Sequence, residues 1–248
     1  MPTKGSPPAE AGLRPLSTRS VVLSLLLGSH PPQMPVRELV RVVEPFGISS
    51  ATLRVALTRM VASGDLRRLD STYRLSDRLL ERQRRQDAAL DPRTRAWDGD
   101  WEIVVITATG RGAAERAQLR ADLAALRLAE LREGVWTRPA NLVRSWPGHL
   151  APLVQRWTGR PDQPAAELAE TLWDLQSWAG TGHALLSACT GADRPADRFA
   201  VIAAMFRHLL TDPVLPGPLL PPDWPAPALR AAHAGYQDQL TGRARIAT

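Results

Sequence analysis

A chain of 248 residues with 44% hydrophobic and 23% charged residues has the make-up of a folded protein of two or three modules, which excludes disordered and fibrous classes. One cysteine, Cys189, rules out a disulfide framework within the chain and points to a reducing cytoplasm, and no apolar run reaches membrane-spanning length, so no membrane partner is expected. The net charge of +6 is uneven: residues 1–96 hold 16 Lys and Arg against 9 Asp and Glu, residues 97–248 hold 15 against 16, and a basic module beside a neutral body predicts a polyanion partner.

Residues 1–15 are rich in Pro, Gly, Ser, Lys and Glu and read as a disordered tail. Ser17 is placed to cap a helix over 18–28, with Val21, Leu25 and Leu26 inward, and His30-Pro31-Pro32 ends it. A second helix is predicted over 35–46, with Pro35 in its first turn and Leu39, Val42 and Val43 inward. Phe46-Gly47-Ile48-Ser49 then makes a short turn. From Ser49 to Gly64 comes a third helix, whose Leu53, Ala56, Leu57, Met60 and Val61 recur at helical spacing on one stripe. Its other side carries Ser50, Thr52, Val55, Thr58 and Arg59, with Arg54 at the flank and Ser49 at the cap. Short hydroxyl side chains and arginines on a solvent face suit a DNA major groove, because they allow close approach and donate to phosphates and base edges. Helix, glycine turn and second helix form a helix-turn-helix unit.

Two short alternating runs, Leu66–Leu69 and Thr72–Leu75, flank Asp70-Ser71 and predict a hairpin wing bearing Arg67, Arg68 and Arg74. Ser76 is placed to cap a charged helix over 77–90, read as a solvated linker. Asp91-Pro92 closes a winged helix-turn-helix domain spanning 16–91.

A buried strand is expected over 103–107, a glycine turn at 110–112 and a long helix over about 113–130. Gly134-Val135-Trp136-Thr137-Arg138-Pro139 reads as a turn into a strand that proline ends, and 153–157 as a further strand. This beginning suits a ferredoxin-like domain over 92–162, in which the sequence does not mark the second helix. Helices return over 163–248: one at 165–178, an interruption at Gly180–Gly182, others at 198–210 and 227–239, and a proline-pinned arm from Leu210 to Pro225 between the last two. The fold class is therefore α+β. Trp101, Trp136, Trp157, Trp173 and Trp178 read mostly as core.

The five histidines show no metal-binding spacing, and neither a nucleophile elbow nor a phosphate-cradling glycine loop occurs, so no catalytic residue, metal or cofactor is assigned. Asp98 and Asp100, at the start of the first middle-domain strand, stand where a metal-dependent nuclease of ferredoxin-like fold would hold an acidic ligand. Nuclease or RNA-processing activity is the alternative function.

Four stretches in order carry a family resemblance. They are Leu53-Arg54…Ala56-Leu57-Thr58-Arg59-Met60 with Gly64-Asp65-Leu66; Trp97-Asp98-Gly99-Asp100-Trp101; Gly134-Val135-Trp136-Thr137-Arg138-Pro139; and Thr211-Asp212-Pro213…Leu215-Pro216…Leu219-Leu220-Pro221…Asp223-Trp224-Pro225. Together they span nearly the whole chain, which resembles the PaaX-type transcriptional repressors that regulate phenylacetic acid catabolism in bacteria. The chain departs from the family pattern at Arg127-Leu128-Ala129-Glu130-Leu131, where a glycine-aromatic turn is usual. The resemblance implies a winged helix-turn-helix, a ferredoxin-like middle domain similar to that of small CRISPR-associated endonucleases without implied nuclease activity, and a helical C-terminal domain. It also implies a homodimer that binds palindromic operator DNA and releases it when an acyl-CoA effector, phenylacetyl-CoA in the type member, binds. Trp136 with Arg138, Arg144 and Arg156 are the residues of this chain that would offer such an effector an aromatic face and partners for its phosphates.

Overall fold

The computed structural model describes residues 17–245; the expected tail at 1–15 lies outside them. The described residues form two units, one of residues 17–84, 188–204 and 232–245 and the other of 85–187 and 205–231. The stretch 163–248, expected as one helical domain, thus contributes to both.

In the first unit, α1 (Thr18–Leu27) is capped by Ser17, whose side chain accepts from the Ser20 amide, and buries Val21, Val22, Leu23, Leu25, Leu26 and Leu27. It is covered on more sides than the three inward positions expected of it, which makes it the central helix. Next comes β1 (Gln33–Pro35), a strand the sequence did not announce because two prolines precede its three residues and a third ends them. Pro35 stands at the cap of α2 (Val36–Val43), which buries Leu39, Val42 and Val43, and a 3-10 turn over Glu44–Phe46 ends on Gly47 at φ 72°. That positive φ is cheap only without a Cβ, and it turns the chain into α3 (Ser50–Ala62). Strands β2 (Leu66–Leu69) and β3 (Thr72–Leu75) form the expected hairpin, and β1 adds to it in the order β1-β3-β2. The tip residue Asp70 has φ 52°, a conformation that Asp tolerates better than most residues. Helix α4 spans Asp77–Leu90. Three helices with a three-stranded antiparallel sheet in this order make a winged helix.

Helix packing closes this unit. Phe46 meets Phe199 edge-on, with ring centroids 5.5 Å apart. At Gly28 an added Cβ would fall 2.5 Å from Gln237 Oε1, so the missing side chain is what lets that residue approach.

In the second unit, β4 (Trp101–Ile106), β5 (Ala129–Arg132), β6 (Val135–Pro139) and β7 (Val154–Gly159) form an antiparallel sheet in the order β5-β6-β4-β7. With α5 (Ala113–Ala125) between β4 and β5, this is the ferredoxin-like strand order. The helix expected to run to Glu130 ends at Ala125: Arg127 takes φ 61°, and Ala129–Arg132 pairs as a strand. A core of Val104, Leu119, Leu123, Leu128, Trp136, Leu150 and Val154 lies between sheet and helix. Where the fold would place a second helix, the segment between β6 and β7 supplies one 3-10 turn, Gly148–Leu150.

The opposite core joins Trp101 to Leu168 and Ala169 of α6 (Ala165–Leu172) and to Leu175, Leu215 and Leu219. The helix predicted at 165–178 breaks at Trp173, which is extended with φ −133°. Asp174 then caps the Ser177 amide, and α7 (Leu175–Thr190) runs unbroken through Gly180 and Gly182. The expected interruption is instead a close crossing, because a Cβ on Gly182 would stand 2.6 Å from Pro225 Cγ. Helices α8 (Pro195–Leu209) and α9 (Ala226–Arg245) flank the proline-rich arm.

Candidate nucleic-acid interface

Helix α3 starts on Ser49, whose Oγ accepts from the Thr52 amide at 3.1 Å. It ends in a Schellman arrangement, with the Asp65 amide donating to the Met60 carbonyl at 2.9 Å and Gly64 at φ 72°. Leu53, Leu57 and Met60 are buried, so the direction of the helix is fixed from below. The residues expected to meet DNA are all exposed: Ser49, Ser50, Thr52, Arg54, Val55, Thr58 and Arg59. Helical spacing puts Val55, 53% exposed, in the middle of that face, with Ala51, Thr58, Arg59 and Ala62 around it. Thr58 Oγ1 donates to the Arg54 carbonyl at 3.0 Å, which steadies its side chain while leaving oxygen lone pairs outward.

Register sorts the arginines of the wing. Arg67 pairs with Arg74, and Arg74 with Gln33, so these three side chains form a row on the solvent face of the sheet. Arg68 pairs with buried Tyr73 and belongs to the other face; its Nε donates to the Asp70 carbonyl at 2.9 Å. The three wing arginines are therefore two on one face and one on the other. Arg67 also touches Asp77 at 2.5 Å, an exposed pair of the kind that exchanges readily for another anion.

Beneath the helix sits a residue that the periodicity did not single out. Asp65 is 1% exposed and accepts from Arg19 Nε and Nη2 at 3.0 and 2.8 Å, from Ser63 Oγ at 3.1 Å and from Arg78 Nη2 at 2.6 Å. One carboxylate thus ties α1, the end of α3, the root of the wing and α4. Burial by itself would raise its pKa, but the hydrogen bonds from Arg19 and Ser63 and the charges of Arg19 and Arg78 outweigh it and hold the carboxyl below its usual value. The sequence signal was an acidic residue straight after a helix-ending glycine.

The four residues expected to meet an effector separate into two pairs. Arg138 is 0% exposed, on an inner strand covered on both faces. Its guanidinium donates to the carbonyls of Arg127, Pro139, Pro213 and Val214 and to Asn141 Oδ1, while Asn141 Nδ2 donates to Val214 as well. Burial, aided by the nearby Arg144 charge, brings its pKa down to about 9, still protonated at neutral pH. Trp136 is 5% exposed, with the Arg120 guanidinium 5.6 Å above its ring. Both stand in the framework: Arg138 holds the proline-rich arm, and Trp136 lies in the sheet core. Arg127 and Arg230 extend that network through the carbonyl and carboxylate of buried Asp212.

Arg144 and Arg156, in contrast, line an open pocket of about 320 Å³ with Arg95, Glu102, Trp146 and Trp157. Trp157, expected in the core, is 50% exposed because β7 is an edge strand. Trp146 was missed; it lies in the irregular segment between β6 and β7, where no periodicity marks a residue. Asp100 accepts from Arg160 Nε at 2.8 Å, and among the described residues no three His, Cys, Asp or Glu side chains gather as a metal site. Nor is any described helix long and apolar enough to cross a membrane.

Three family models match the chain in order: PaaX-like protein over 17–79, PaaX protein central Cas2-like domain over 94–152, and PaaX-like protein C-terminal domain over 176–247. Among curated proteins nothing matches. A solved structure of an uncharacterized protein, Rv0674 from Mycobacterium tuberculosis, is similar with a TM-score of 0.83 and 50% identity, over 93% of this chain and 98% of that one. With its winged helix, its ferredoxin-like sheet and these matches from end to end, the chain belongs to the PaaX family of transcription regulators.

Proposed function

We propose that this protein is a repressor that binds palindromic double-stranded operator DNA as a homodimer in the cytoplasm and releases a catabolic operon when a small-molecule effector of the acyl-CoA type binds. The observation that carries the reading is the outer face of α3, where every expected contact residue is exposed on a helix held from below by a buried stripe and by the Asp65 clamp. Ser50, Thr52, Thr58 and Arg59 are the base-reading and phosphate-binding candidates, and Arg67 and Arg74 anchor the wing on the backbone.

The test is a gel shift on a palindrome upstream of the chain's own operon. Arg59→Ala keeps its fold and loses about 1–3 kcal/mol of operator binding, roughly 5- to 150-fold. Unchanged affinity in that variant would remove α3 from the groove. A screen of acyl-CoA thioesters for release of the DNA identifies the effector. EDTA leaves binding intact; magnesium-dependent cleavage abolished by Asp100→Ala would replace the regulator reading with the nuclease one.

A further inference from the structure

A ferredoxin-like sheet normally has two helices on one face. Here α5 covers the half over Val104 and Trp136, and the 3-10 turn Gly148–Leu150 with Leu153 and Trp146 extends that cover only in part. The register continues the same face outward: Val104 pairs with Arg156, and Glu102 with Thr158. The missing second helix therefore leaves strand residues of β4 and β7 facing the pocket instead of a hydrophobic layer.

What fills the gap is chemically unusual. Three arginines, Arg95, Arg144 and Arg156, face one carboxylate, Glu102, a surplus of two positive charges. Glu102 is already neutralised by a two-pronged contact from Arg144, at 2.9 and 2.8 Å. The Arg156 guanidinium stands 4.4 Å from the centroid of the Trp146 ring and makes no ion pair among the described residues. Arg95 spends its Nε on the Ala140 carbonyl at 2.7 Å. Two further donors are buried without a partner among the described residues, Arg144 Nε and Trp146 Nε1. Buried donors without a partner are costly, and an acceptor-rich ligand relieves that cost.

We infer that this pocket binds the phosphate monoester group of an organic ligand. A carboxylate brings one charge and two oxygens. A phosphate monoester brings close to two charges and three strong acceptors, which matches the charge surplus and the number of waiting donors. The half-buried side chain of Leu142, also in the pocket lining, gives the organic part an apolar surface. The inference shares Arg144 and Arg156 with the effector reading and deepens it by naming the group held there; its test uses no DNA, so the two fail separately.

Calorimetry on the full chain with AMP, inorganic phosphate and adenosine makes the measurement. AMP binds, adenosine binds at least about tenfold more weakly, and the position of inorganic phosphate between them tells how much the organic part adds. AMP affinity rises as the pH passes upward through about 6, where the second phosphate proton leaves. Arg156→Ala lowers AMP affinity about tenfold or more with an unchanged melting temperature. Arg95→Ala, also at an exposed position, is the second variant should the first unfold. No AMP heat up to millimolar concentration, equal binding of AMP and adenosine, or AMP binding indifferent to both substitutions would each overturn the site. AMP binding that survives while no thioester releases operator DNA would sink the effector reading alone.

Discussion

The arginines of α3 and those around Arg138 share a side chain and little else. Arg54 and Arg59 stand in solvent above a buried apolar stripe. Arg138 has no exposed surface and holds five acceptors from three stretches of chain. An exposed guanidinium is free to exchange water for phosphate, so its free energy is realised in binding. A buried one is already fully coordinated, so its free energy is realised in folding. Charge along the sequence counts both alike; only coordination tells them apart.

The sharpest way to break this contrast is Arg138→Ala. It strands Asn141 Oδ1 and the carbonyls of Arg127 and Pro213 in the interior, and it costs about 3–5 kcal/mol in urea unfolding. A loss under about 1 kcal/mol would mean that the arm does not depend on this arginine.

Asp65→Asn comes next, at about 1–3 kcal/mol, smaller because its arginine partners are more than half exposed. The pH dependence has a definite sign. The folded carboxyl titrates below its ordinary value of 3.8, so the clamp contributes fully above that value and is lost as the pH falls through the lower folded one. The variant lacks this acid limb in a melting-temperature series, and an unchanged acid profile would locate the limb elsewhere.

The smallest effect is the most selective. Arg74→Ala leaves stability within about 0.5 kcal/mol and lowers the slope of operator affinity against salt by about 0.9. Arg68→Ala, on the other face of the wing, changes that slope less. Equal slopes in the two variants would mean that DNA does not distinguish the faces of the wing.

The winged helix was largely legible because its signals are local. Ser17, Ser49 and Ser76 precede helices, Gly47 and Gly64 take the positive φ that turns require, and the hairpin strands begin and end where alternation places them. The three-residue β1 escaped because its partner strand lies nearly forty residues away and two prolines obscure it. In the sheet unit, the helix beyond Ala125 was overextended because Arg127 accepts a left-handed conformation in which its side chain reaches the Asp212 carbonyl. Nothing within ten residues of Arg127 announces that partner.

By itself the sequence determined the exposed face of α3, the wing hairpin and the identity of the residues that make the first unit basic. These follow from spacing, capping and turn chemistry over a few residues. The tertiary structure decided which arginines stand in solvent, which hold the core and which line a pocket. Burial and hydrogen-bond partners settle that question, and both are set by residues far apart in the chain: Asp65 between Arg19 and Arg78, Arg138 beneath Val214, and Arg156 where a second helix never forms.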